Sequence, residues 1–242
     1  MEKLRNNVAY TGSQTKVEVT LNSAYKKMVR KPVDPPKRSK LEEIGNSITH
    51  GLGSIFSIVA FILMIRVANT TQEIVGAIVY FVGLMVLFTA SCLYHAFPHG
   101  SAGKRLFRRF DYSSIYLLIG ATFAPILLCS VGGVFGITFF AVQCAVVAVG
   151  ITLIAVFGPS RLRKIHIPLY LVLGWSGLAF VPQMIPSNVG LFVFTILGGI
   201  IYSLGVIPFA IKKKCAHFIW HFFVLGAAVT HWIGIYLFIF LV

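Results

Sequence analysis

Residues 74–97 read IVGAIVYFVGLMVLFTASCLYHAF, twenty-four positions with no aspartate, glutamate, lysine or arginine. As a helix rising about 1.5 Å per residue, this run is about 36 Å long, enough to cross the ~30 Å hydrocarbon core of a bilayer. A surface helix of a soluble domain keeps one polar face, and this stretch has none to offer. It therefore reads as a transmembrane helix, and further apolar runs repeat the pattern at 44–65, 112–131, 135–157, 167–186, 190–211 and 217–242. The predicted fold is an all-α membrane protein, a bundle of seven transmembrane helices over residues 41–242.

The composition of the 242-residue chain agrees. Hydrophobic residues make up 57% and charged residues 12%, with a mean hydropathy of +0.85, whereas soluble domains carry about 25% charged residues. Disordered chains, disulfide scaffolds and cytosolic enzymes are excluded by the same figures. The four cysteines lack C-x-x-C spacing and are expected to be unpaired, buried thiols.

The net charge of +14 would suggest nucleic acid in a soluble protein, but its distribution points to a membrane surface instead. Residues 1–40 hold ten of the 21 Lys and Arg, without any sustained apolar run. They are expected to form a basic, disordered cytoplasmic tail lying against anionic headgroups, with no nucleic-acid partner. No short apolar stretch with a small-residue cleavage site occurs near Met1, so the first span is expected to serve as its own uncleaved insertion signal. Between the spans, basic residues cluster in alternate connections: Lys104, Arg105, Arg108 and Arg109, then Arg161, Arg163 and Lys164, then Lys212, Lys213 and Lys214. Together with the tail, 20 of the 21 basic residues fall on one side, leaving only Arg66 on the other. By the positive-inside rule this predicts a multi-pass plasma-membrane protein with a cytoplasmic N-terminus and Val242 outside. Six or eight spans would scatter these charges over both faces.

Beyond Glu43 only Glu73 and Asp111 are acidic, so polar groups within the spans stand out. Glu43, Asn46 and His50 share one face of the first helix, and Ser91 and His95 share a face near the end of the second. Asp111 opens the predicted third helix. His217 and His221 stand four residues apart at the start of the seventh, a spacing that lets two imidazoles chelate one ion. All of these positions come to the same depth on the cytoplasmic side. Ionisable groups at membrane depth face the bundle interior and usually mark function. His95, His217 and His221 would fill three positions of a tetrahedral zinc site and leave the fourth for water. Plainer roles remain open: Asp111 could cap its helix, Ser91 could bond its own backbone, and Glu43, Asn46 and His50 could be structural or could orient the ligands. His231 lies about 15 Å beyond His221, too deep to join them, and His99 and His166 are expected to be solvated beside loops.

The strings Glu43-I-G-Asn46-S-I-T-His50, Ser91-C-L-Tyr94-His95, Asp111-Tyr112-Ser113 and His217-F-I-W-His221, followed by His231, resemble those of the progestin and adipoQ receptor family, in its bacterial haemolysin III-like branch. The likeness covers residues 42–242, in the family's motif order, and leaves the tail outside. It implies a zinc ion near the cytoplasmic face held by His95, His217 and His221, with Asp111 and Ser91 beside it. It further implies hydrolysis of an amide bond in a ceramide-like lipid by water that zinc activates. The alternative is a non-enzymatic receptor or membrane-perturbing protein in which zinc only clamps helices together. A transporter is less favoured, since the chain has no inverted-repeat signal and no paired broken helices.

Overall fold

A computed structural model of the chain describes residues 34–242 other than Lys212. The expectation of a disordered tail falls almost wholly outside the described residues. Seven helices are long and apolar enough to cross a membrane: α1 Lys40–Val67, α2 Thr71–Ala96, α3 Ala102–Val131, α4 Gly133–Phe157, α5 Arg163–Pro186, α6 Val189–Ala210 and α7 Ala216–Phe240. There is no strand among the described residues.

The helix starts are written in local chemistry. The Ser39 side chain accepts from the Glu42 amide, the Ser101 side chain from Lys104, and the Asn188 side chain from Leu191. Each satisfies a donor that the first turn would otherwise leave open. Thr70 and Glu73 form a reciprocal capping box at the head of α2, which gives one of the two acids beyond Glu43 a structural task. At the α3–α4 turn, Gly132 and Gly133 have φ of 62° and 59°, the left-handed region that glycine enters without steric cost.

Helix α1 shows how the bundle is organised. Ile44, Ile48, Leu52, Ile55, Val59 and Ile62 point outward, each more than 40% exposed, while Asn46, His50, Gly53, Ser57, Ala60 and Met64 are buried. The inward set steps by four and three residues, so it forms a single helical stripe. A Cβ on Gly53 would collide with the Phe88 ring of α2, so this glycine is what lets the two helices close on each other. Helix α2 packs most extensively on α3 and α1, α6 packs on α7, and α7 returns to α1, so the first and last spans are neighbours. Seven crossings bring the start of α1, the end of α2 and the starts of α3 and α7 to one end of the bundle.

Three expectations need correction. Helix α3 begins at Ala102, ten residues before the predicted start at Tyr112. Its first turns carry basic residues, and a search for apolar runs sees only the part of a helix that lies in hydrocarbon. Lys104 and Arg108, one turn apart, are buried, and so belong to the helical body rather than to a solvated loop. His166 is likewise buried, its Nδ1 paired at 2.9 Å with the Tyr116 hydroxyl. The cysteines are all free, but none is fully buried, and Cys144 and Cys215 are exposed.

At the same end of the bundle, two arginines reach carbonyls of helix C-termini. Arg109 donates to Ala155 O in the last turn of α4 at 2.5 Å, and Arg163 donates to Phe209 O in the last turn of α6 at 3.1 Å. Such carbonyls lack intrahelical donors and carry the negative end of the helix dipole.

Candidate metal centre

The helix ends gathered at this pole carry the polar residues picked out in the sequence. His95 comes from the last turn of α2, and His217 and His221 from the first two turns of α7. One ligand atom from each lies within 4.8 Å of the others. The Nε2 atoms of His95 and His217 are 3.3 Å apart. Two nitrogens bound to one zinc at about 2.0–2.1 Å in tetrahedral geometry stand about 3.4 Å apart, so this pair has the separation that a common ion needs. The His221 Nδ1 atom is buried without a hydrogen-bond partner, a costly state for an imidazole nitrogen unless something ligates or bonds it. By donor type and spacing, the three residues fit zinc.

The His95 ring is held from behind. Its Nδ1 lies 2.5 Å from Glu43 Oε2. A carboxylate can only accept, so Nδ1 carries the proton and Nε2 is left with its lone pair facing His217. Asn46 also approaches Nδ1, at 3.3 Å through its amide. The atom that faces the ring is the amide nitrogen Nδ2, which leaves Oδ1 buried without a partner; turning the amide over would set that oxygen toward Nδ1 instead. His50 stacks on His221 with ring centroids 3.8 Å apart and receives the Phe88 ring edge-on at 5.2 Å. The structure thus brings Glu43 and Asn46 to His95, and His50 to His221.

Ser91 and Asp111 stand beside His217 and His221. Ser91 of α2 and Asp111 of α3 face the same chamber. Because α3 starts at Ala102, with Ser101 as its cap, Asp111 sits in the third turn and does not cap the helix. Ser91, Asp111, His217, His221 and His50 line one chamber of about 20 Å³, room for about one water molecule. Next to it lies an apolar cavity of about 110 Å³ between α3, α5, α6 and α7. The two share a wall of Leu87, Ile115, Phe209, Trp220 and Val224. His231 is not part of the cluster; it lines the larger cavity, its Nε2 bonded to Thr195 O at 3.0 Å.

The sequence reading missed two residues of this pole. Lys104 is 1% exposed, and its Nζ lies 2.8 Å from Glu43 Oε1. Arg38, assigned to the tail, donates to the Tyr94 hydroxyl at 3.4 Å and lies 3.9 Å from Glu42. Burial alone would lower the pKa of Arg38, but Tyr94 and the Glu43 carboxylate turn the net shift upward. Lys104 follows Ser101 at capping distance and precedes Arg108 by four, a signal that could have extended α3.

A seven-helix membrane bundle with an imidazole triad that could hold a metal ion at one pole defines a class of multi-pass membrane protein rather than a soluble one. Within that class, the chain belongs to the family described as Haemolysin-III related, which it matches over residues 38–241. It is 37% identical to "Hemolysin-3" of Bacillus cereus over 192 residues, covering 77% of this chain and 87% of that one. To "Hemolysin-3 homolog" of Bacillus subtilis it is 34% identical, covering 78% and 90% respectively. It is also 27% identical to "Adiponectin receptor protein" of Drosophila melanogaster, covering 80% of this chain and half of that one.

Proposed function

We propose that the protein is a zinc-dependent lipid hydrolase of the plasma membrane that cleaves the amide bond of a ceramide-like lipid at the cytoplasmic side. The observation that carries this reading is the wall shared between the Ser91–Asp111 chamber and the apolar cavity, because it sets hydrolytic side chains next to space for an acyl chain. His95, His217 and His221 would hold the zinc. When bound, zinc supplies Lewis acidity, enough to make water a nucleophile near neutral pH.

The remaining chemistry belongs to the chain's own side chains. Asp111 accepts a proton from the attacking water at a carboxylate oxygen and returns it to the leaving nitrogen. The Ser91 hydroxyl, which lines the same chamber, donates its one proton to the oxygen on which negative charge develops. Leu87, Ile115 and Val224 make the wall between the two spaces apolar, which favours an acyl chain on its far side and excludes bulk water. A zinc that only clamps helices, as in a receptor or in a haemolysin of the kind the relatives are named for, would make no use of the Ser91–Asp111 pair or of the cavity. The test is fatty-acid release from a panel of lipid amides and esters by the purified, zinc-loaded chain in lipid. Release from a ceramide-like amide is expected, and no release from any member of the panel would overturn the reading.

A further inference from the structure

The sequence places Lys104 among the basic residues of a connection between spans, yet the structure gives it the most enclosed amine of the described residues. Its side chain is 1% exposed. Its Nζ lies 2.8 Å from Glu43 Oε1, 3.5 Å from the His95 carbonyl oxygen, and 4.8 Å from the centroid of the Tyr94 ring. A buried ammonium is costly unless it is paired, and these three contacts are two acceptors and a π face.

The two oxygens of Glu43 divide the work. Oε1 meets Lys104 of α3, and Oε2 meets His95 Nδ1 of α2. Glu43 by itself could swing by one rotamer and leave His95 free to carry its proton on either nitrogen. With Oε1 pinned, Oε2 has one place to be, and Nδ1 has a fixed acceptor. We infer that Lys104 is a positioning residue for the imidazole triad: through Glu43 it fixes the Nδ1–H tautomer of His95, so that Nε2 presents its lone pair beside His217. The chain Lys104–Glu43–His95 joins α3, α1 and α2, and its output is the affinity of the triad for a divalent metal. This inference rests on the reading that the triad holds a metal.

Such outer partners typically govern metal affinity by 10- to 100-fold. The experiment uses the full chain in lipid nanodiscs, with Zn2+ affinity measured by competition against a chromophoric chelator and Co2+ binding followed by visible absorption. Lys104→Met keeps the aliphatic stem and removes the charge. It is expected to weaken Zn2+ binding by about 10- to 100-fold and to alter the Co2+ spectrum, with the stoichiometry unchanged. Glu43→Gln is expected to lose a similar factor. The double variant should be no weaker than the weaker single one, because both act through one contact. Lys104→Arg should recover most of the loss.

Native affinity in Lys104→Met, even with a lowered melting temperature, would overturn the inference and leave the metal reading intact. Additive losses in the double variant would overturn it as well. If Lys104→Met does not fold, nitrogen-15 NMR of the metal-free native chain decides: His95 as the Nδ1–H tautomer supports the inference, and Nε2–H refutes it. A native chain that binds no Zn2+, or binds it undiminished after His95→Ala, would bring down the metal reading and this inference together.

Discussion

The Nε2 atoms of His95 and His217 lie 3.3 Å apart although 122 residues separate them in the chain. That meeting depends on α7 closing back onto α1, and on α1 packing against α2. Replacing both His217 and His221 by Ala should therefore remove the metal without removing the fold. Metal analysis of the purified native chain is expected to give about one zinc per molecule, and the double variant close to none. Full zinc occupancy in the variant would place the ligands elsewhere.

Asp111 separates chemistry from scaffolding. Asn in its place has nearly the same size, but it cannot take up a proton. Asp111→Asn is expected to fold, retain zinc and lose on the order of 10²-fold or more in fatty-acid release from a ceramide-like amide. Activity equal to the native chain would remove Asp111 from the mechanism.

Orientation follows from charge. With 20 of the 21 Lys and Arg assigned to the tail and to alternate connections, the triad is expected on the cytoplasmic side. A tag fused after Val242 should be cut by protease added to intact cells. Protection of that tag would reverse the assignment.

Gly53 is the contact point of α1 and α2. A leucine there would drive its side chain into Phe88, whose ring edge meets His50. Gly53→Leu is expected to cost about 1–3 kcal/mol, read as a lower melting temperature in lipid, and to lower zinc occupancy because the helices bearing Glu43 and His95 move apart. Unchanged stability and occupancy would mean that the helices do not rely on this close approach.

The spans were legible because hydrocarbon imposes a length and a composition that few other environments require. The triad was legible because histidine and acidic residues are rare in such segments, so that His95, His217, His221 and Asp111 stood out once their depth was reckoned. The first three turns of α3 were not legible. A run containing Lys104, Arg105, Arg108 and Arg109 carries the composition of a loop, and only the Ser101 cap and the four-residue spacing of the two buried cations mark it as helix. Lys104 stayed hidden for the same reason, since nothing in a basic cluster says which member turns inward to meet a distant carboxylate. His166 was placed in water because it follows Arg163 and Lys164, whereas its partner, Tyr116, lies 50 residues earlier.

Arg109 and Arg163 carry a consequence for biogenesis. On the positive-inside rule, their charges belong to the set that keeps their flanking segments from being threaded across the bilayer during synthesis. In the finished bundle the same guanidiniums close the exposed carbonyl ends of α4 and α6. On the expected orientation, the cue for how the chain enters the membrane and the fastening that finishes two of its helices would be carried by the same side chains. A substitution that neutralises either arginine would disturb insertion and assembly at once, and the two effects would part only if the protein were refolded into lipid after synthesis.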